Sequence, residues 1–181
     1  RALRPRPISG TRVDTLLSDP FAYYASQILK LNPLDPVDAD PTPAWRGSAV
    51  HAILQQWAEQ DDFDPAALVA RARALFANAH QHAVLRALWQ PRLIESINWI
   101  ADETAANAEQ GRQVIAVEQQ GHVEVAGVRL HGRFDRIDRC PDGSVVIVDY
   151  KTGQAPATAA AVAGFSLQLG LLGLIAERDA T

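Results

Sequence analysis

Charged side chains stand where a buried strand should carry none. The stretch Gly132-Arg-Phe-Asp-Arg-Ile-Asp-Arg-Cys-Pro-Asp-Gly-Ser-Val-Val-Ile-Val-Asp-Tyr-Lys-Thr-Gly153 reads as a β-hairpin with acids set inside apolar strands. Its second strand, expected over Ser144 to Lys151, is rich in Val and Ile, the composition of a largely buried strand. It ends in Asp149-Tyr150-Lys151. Alternation along a strand puts Asp149 and Lys151 on one face and Tyr150 on the other. Pro141-Asp142-Gly143 is turn chemistry, and a loop of those three residues places Asp135 opposite Asp149 and Arg133 opposite Lys151. Opposed side chains stand about 5 Å apart, where like charges repel. Two carboxylates in a half-buried sheet are costly unless a cation lies between them. A divalent metal is the simplest such cation, with Lys151 beside it. The competing reading is a surface hairpin whose charges are solvated; the apolar run Val145 to Val148 counts against it.

Other residues gain or lose interest by their setting. His51 lies among Val50, Ile53, Leu54 and Trp57 at helical spacing. It is either a half-buried histidine bonded to backbone or a metal ligand brought over the sheet. Gly47, one turn earlier, either punctuates the helix start or permits close approach of backbone or DNA. Gln168 sits in an apolar helical pattern as a capped core polar group or a site residue. Glu118 ends the strand-like Val114 to Val117 and reads as a solvated strand-end acid. Arg133, Arg136 and Arg139 either neutralise neighbouring acids or contact phosphate. Asp61, Asp62 and Asp64 read as a solvated loop and helix cap. Trp45, Trp57, Trp89 and Trp99 read as core or docking surface.

The elements that must position these residues follow from periodicity and punctuation. Residues 1 to 8 look like a linker. A helix starts near Ser9 or Thr11, is interrupted at Asp19-Pro20 and resumes through Leu29. The Pro-rich stretch from Asn32 to Pro43 reads as an extended loop. Helices follow over Arg46 to Glu59, from Asp64-Pro65 to about Ala79, and over Gln81 to Ala108 with a break at Pro91. Strands are expected at Val114–Glu118, His122–Val125, Val128–Arg139 and Ser144–Lys151. A helical pattern then covers an Ala-rich segment and Phe165 to Glu177. This order defines an α/β fold with a small mixed, mainly antiparallel sheet flanked by helices, in one domain over residues 9–181.

Bulk properties narrow the function. The chain has 181 residues, 48% of them hydrophobic and 21% charged, ordinary for a globular protein with a real core. The single cysteine, Cys140, excludes an intrachain disulfide framework, a Cys-rich zinc site and a cysteine-ligated iron–sulfur cluster. It suits a reducing cytoplasm. No apolar run of about 18 residues is present, so no membrane partner is expected. The lack of any Met leads us to expect an excised piece of a longer polypeptide. The formal net charge of −4 is opposite to that of a free-standing DNA binder, so action on DNA would rely on metals, local arginines and other domains. A P-loop, dinucleotide fingerprint, nucleophile-elbow serine and zinc-spaced His/Cys set are all missing.

The combination of Arg46-Gly-(x)3-His51, Gly132-Arg-Phe-Asp135-Arg-Ile-Asp, Val148-Asp149-Tyr-Lys151-Thr-Gly and the later Gln168 resembles the RecB-like branch of the PD-(D/E)XK nucleases. The stretch Thr11 to Ala25, with Leu31-Asn-Pro-Leu-Asp-Pro after it, resembles the nuclease domain of the AddB subunits of bacterial helicase–nucleases. The resemblance runs from about Ile8 to Ile175. It implies a Mg²⁺- or Mn²⁺-dependent deoxyribonuclease, processing DNA ends next to an AddA-type helicase subunit during recombinational repair, in the cytoplasm with the nucleoid. It implies His51, Asp135, Asp149 and the Tyr150 carbonyl as metal ligands, Lys151 as the catalytic lysine and Gln168 as the glutamine of the family's late helix. Two positions depart from the pattern. A Cys-Pro-Phe that helps hold an iron–sulfur cluster in many relatives is Ser18-Asp-Pro-Phe here, and the family's late tyrosine is Leu172. Loss of activity, leaving a module that guides DNA or docks a subunit, is the alternative outcome for such a chain.

Overall fold

The computed structural model describes residues 7–31, 34, 43–77 and 83–179. In chain order these form strand β1 (Pro7–Ser9), helices α1 (Gly10–Ser18) and α2 (Pro20–Tyr23), a π-helical turn (Tyr24–Ile28), and helices α3 (Pro43–Gln60), α4 (Pro65–Leu75) and α5 (Ala83–Glu109). Strands β2 (Gln113–Val125), β3 (Val128–Arg139) and β4 (Val145–Val148) follow, then α6 (Thr158–Val162) and α7 (Gln168–Asp179). The strand order is β1, β3, β2, with β4 also paired to β3. The β1–β3 pairing is parallel and the β3–β4 pairing antiparallel, so the sheet is mixed, as expected.

Contacts divide the chain into two compact units. One gathers residues 1–37, 118–134 and 154–181; the other gathers 38–117 and 135–153. In the first, β1 aligns Pro7, Ile8 and Ser9 with Arg129, Leu130 and His131. This strand lies partly where a linker was expected, because three residues are too few to show a period. Asp14 of α1 accepts a hydrogen bond from the Leu167 N–H at 2.9 Å, tying α1 to the segment that enters α7. Gly132 packs closely there: a Cβ at that position would lie 2.5 Å from Cδ2 of the buried Leu172 on α7, so the leucine side chain would have to shift.

The second unit carries a helical core of Val50, Ile53, Leu54, Trp57, Leu68, Ala72, Phe76, Leu93, Ile97 and Ala101. Tyr150 and Trp89 pack against it. Trp57 is buried, donates its indole N–H to the Asp64 carbonyl at 2.7 Å, and meets Phe63 edge to face at 5.0 Å. Asp64 caps α4, accepting from the Ala66 and Ala67 N–H groups, with Pro65 at the first helical position as the sequence predicts. That helix ends at Leu75; the expected continuation to Ala79 runs into residues outside the described set. Pro91 does not break α5. The residue whose carbonyl loses its helical partner is Ala87, which is exposed, so water is available to that carbonyl. The buried stripe Leu93, Ile97 and Ala101 holds the helix to the core beyond it.

The β3–β4 register is the one the turn implies: Arg136 pairs with Val148, Ile137 with Ile147, Asp138 with Val146 and Arg139 with Val145. Cys140 and Ser144 close the loop, and Gly143 takes a φ of 85°, a conformation glycine adopts without steric cost. The Asp142 carboxylate accepts from the Ser144 hydroxyl and N–H, which holds its carboxyl below the usual carboxylate range. The strand itself stops at Val148, three residues short of the expectation. The strands expected over Val114–Glu118 and His122–Val125 are one strand, β2, in which Glu118 takes a φ of 51°.

Candidate active site at the end of the hairpin

β3 is buried from Phe134 to Asp138, and this run includes Asp135, Arg136 and Asp138. Every polar group there needs a partner. Asp135, 8% exposed, has two. Its Oδ2 accepts the Tyr150 N–H at 2.7 Å, and its Oδ1 lies 3.2 Å from His51 Nδ1. The first bond explains the early end of β4: the Tyr150 N–H goes to a side-chain carboxylate instead of the β3 backbone. His51, on α3, reaches the same point from the helical layer. Its Nε2 stands 3.1 Å from the Tyr150 carbonyl. A Cβ on Gly47, one turn earlier on α3, would lie 3.5 Å from Thr152 Oγ1, an ordinary contact.

Asp149 and Lys151 flank Tyr150. Lys151 Nζ lies 2.6 Å from Asp149 Oδ2, so the two share a face as the alternation predicted. The Asp149 carboxylate is nearly buried while the lysine is half exposed, which leaves an ammonium at the surface above a shielded acid. His51, Asp135, Asp149, Tyr150 and Lys151 thus gather around three consecutive residues.

These groups suit a divalent cation. Asp135 Oδ1 and the Tyr150 carbonyl, both beside His51, are hard oxygen donors, and one imidazole is tolerated by Mg²⁺ and favoured by Mn²⁺. His51 has an oxygen beside each ring nitrogen, Asp135 Oδ1 at Nδ1 and the Tyr150 carbonyl at Nε2.

Behind Tyr150 lies a second set of charges that sequence reasoning did not resolve. Arg136 is 5% exposed. Its Nη1 donates to Thr104 Oγ1 on α5 at 2.9 Å and to the Tyr150 hydroxyl at 3.0 Å. Its Nη2 donates to Asp138 Oδ2 at 3.0 Å, and Arg112 Nε donates to the same oxygen at 2.7 Å. Arg136 Nε stands 2.9 Å from Asp138 Oδ1 without hydrogen-bond geometry, so that contact is one of charge alone. Burial pushes the Tyr150 phenol above its usual range, with the adjacent guanidinium opposing. A cleft of about 530 Å³ is lined by Arg112, Arg136, Asp138 and Thr104 and by none of His51, Asp135, Asp149 or Lys151. Of the two readings of the hairpin arginines, Arg136 neutralises an acid.

The remaining residues fall as follows. Arg133 forms an ion pair with Glu118, whose side chain is 6% exposed; Glu118 is therefore a shielded, paired acid and not the solvated strand end expected. Asp61 pairs with Arg71 and is held below the usual carboxylate range by it. Gln168 is the first residue of α7, half-buried, in the first unit. Leu172 is core of that unit, packed where Gly132 makes room.

A buried acid thus faces a histidine, and an Asp-x-Lys follows the end of a strand. The family model of the PD-(D/E)XK nuclease superfamily matches residues 7–181, and the chain belongs to that superfamily. Among curated relatives, an uncharacterized protein of Rickettsia bellii is 25% identical over 175 residues, covering 91% of this chain and 21% of its own. A subunit of the ATP-dependent helicase/deoxyribonuclease of Streptococcus pyogenes is 24% identical over 159 residues, covering 82% of this chain and 14% of its own. The chain thus spans about a fifth or less of the relatives it matches. Among the described residues no helix is long and apolar enough to cross a membrane.

Proposed function

We propose that this chain is a metal-dependent deoxyribonuclease domain that hydrolyses phosphodiester bonds at DNA ends during double-strand break processing. Its setting is the cytoplasm, within a longer polypeptide that works with a helicase. The observation that supports this best is the convergence on Tyr150: Asp135 on its N–H, His51 on its carbonyl, and Asp149 and Lys151 on either side. His51, Asp135, Asp149 and the Tyr150 carbonyl would hold Mg²⁺ or Mn²⁺. A bound ion would supply positive charge at the scissile phosphate and make a nearby water more acidic. Lys151, half exposed beside its acid, donates to the attacking water or to the phosphate oxygen on which negative charge grows. Asp149 fixes the lysine's position. Asp135 orients His51 through Nδ1. The water attacks phosphorus, the ester oxygen leaves with a proton, and no covalent enzyme intermediate is needed. Gln168 is assigned a supporting part at the substrate on the resemblance alone, and action from a strand end rests on the resemblance too.

The test is a pair of measurements on the full chain and on Asp149→Ala: Mn²⁺ titration and cleavage of linear DNA. The native chain is expected to bind Mn²⁺ and cut; the variant is expected to lose cutting by at least about 100-fold while keeping its fold. A cleavage-competent Asp149→Ala protein would sink the assignment. The net charge of −4 and the aliphatic Leu172 favour a second reading, an inactive module that guides DNA or docks a partner chain. Such a module has no need of Mn²⁺ at Asp135 and Asp149, so absence of binding by the native chain would select it.

A further inference from the structure

Residues 149–151 lie beyond the end of β4, so no strand ladder fixes them. Tyr150 is held by its own contacts. Its N–H bonds Asp135 and its carbonyl faces His51. Both of those partners belong to the ligand set proposed above, and their geometry would change if a cation took the same lone pairs. The phenol is different. It accepts a hydrogen bond from Arg136 at 3.0 Å, on an atom that touches none of the ligands. Arg136 is in turn fixed by Thr104 and by Asp138, which a second arginine, Arg112, also grips. Asp138 is 1% exposed. Burying two guanidinium groups around one acid is a poor route to stability, since the desolvation cost rivals the attraction. Such a cluster is better explained by the geometry it enforces. Here that geometry is the place of the Tyr150 ring, which also packs on the helical core.

We propose that Arg136 is a positioning residue for the reaction, acting through the Tyr150 phenol to hold Asp149 and Lys151 in register with Asp135. This rests on the nuclease reading. The clamp keeps the strand end in place when the His51 and Asp135 contacts rearrange around a cation. Partners one step behind metal ligands are worth about 10- to 100-fold in affinity or activity. Tyr150→Phe isolates the clamp, because the ring and its packing stay and the hydroxyl alone goes.

The test uses the full chain, Tyr150→Phe, Arg136→Lys and the double variant, each measured for Mn²⁺ affinity, for kcat and KM on DNA, and for fold by circular dichroism. Tyr150→Phe is expected to keep the fold, weaken Mn²⁺ binding about 10-fold and lower kcat by a similar factor, with KM for DNA little changed. The double variant is expected to bind Mn²⁺ no worse than Arg136→Lys alone, because that substitution already breaks the link to the Tyr150 hydroxyl. A merely structural Arg136 would lower the melting temperature and leave Mn²⁺ affinity alone. Native Mn²⁺ affinity and kcat in Tyr150→Phe, or additive losses in the double variant, would overturn the proposal. If Arg136→Lys does not fold, Tyr150→Phe decides by itself. Failure of the native chain to bind Mn²⁺ and cut overturns the nuclease reading first, and the clamp with it.

Discussion

Tyr150 does four things at one position. Its N–H ends a strand, its carbonyl meets a histidine, its hydroxyl takes a buried arginine and its ring joins the core. The backbone parts of this were partly legible, because Asp-x-Lys at a strand end already implied a site. The side-chain part was not. Alternation put Tyr150 on the face opposite Asp149, but nothing in the spacing says that Arg136 waits behind it. A testable consequence is alkaline instability. Burial raises the phenol's pKa above its ordinary value of 10.0. A group whose folded-state pKa is raised adds stability that is whole below the unfolded value and is lost as pH climbs through it toward the folded value. Denaturation in urea between pH 8 and 11.5 should therefore show the native chain losing stability above about pH 10, with that component missing in Tyr150→Phe. Parallel curves for the two proteins would show that the phenol ionises as freely folded as unfolded. Below pH 10 the variant should be less stable by about 1–2 kcal/mol, the cost of leaving Arg136 one acceptor short.

At the scale of elements, the hairpin was readable and its surroundings less so. Turn residues fix register locally, and Pro141-Asp142-Gly143 set the β3–β4 pairing as read. Where long-range packing overrides local rules, reading failed. Pro91 sits inside an unbroken α5 because the stripe beyond it is buried. β1 exists because β3 offers it a parallel edge, which three residues cannot announce. Glu118 looked solvated because its partner Arg133 lies on another strand. Gly132 gives the sharpest test of packing. Its Cα leaves no room for a methyl group beside Leu172, so Gly132→Ala should cost about 1–3 kcal/mol, read as a shifted denaturant midpoint. Leu172→Ala alone should cost about 2–5 kcal/mol by opening a cavity. The double substitution should cost less than the two together, since the new methyl fills part of the void. Strict additivity would show that the two residues do not meet.

For the whole molecule, charge is the governing quantity. With 17 Lys and Arg against 21 Asp and Glu, the chain has no bulk attraction for DNA. Several of its arginines are committed: Arg136 and Arg112 to Asp138, Arg71 to Asp61, Arg133 to Glu118. Of the hairpin cations, Arg139 is exposed and Lys151 lies half exposed on Asp149. Binding of single-stranded DNA should accordingly depend weakly on salt, with a log–log slope of roughly −1 to −2, measured by fluorescence anisotropy. A slope steeper than about −5 would mean a broad basic surface at odds with the net charge of −4.

The most direct measurement is metal-dependent cleavage of single-stranded DNA by the full chain and by Lys151→Ala, in Mn²⁺ and in Mg²⁺. The expected result is cutting by the native chain that requires the metal and falls by about 100- to 1,000-fold in the variant, with the fold intact. Cutting that survives the loss of Lys151 would mean that the hairpin end is not the catalytic site.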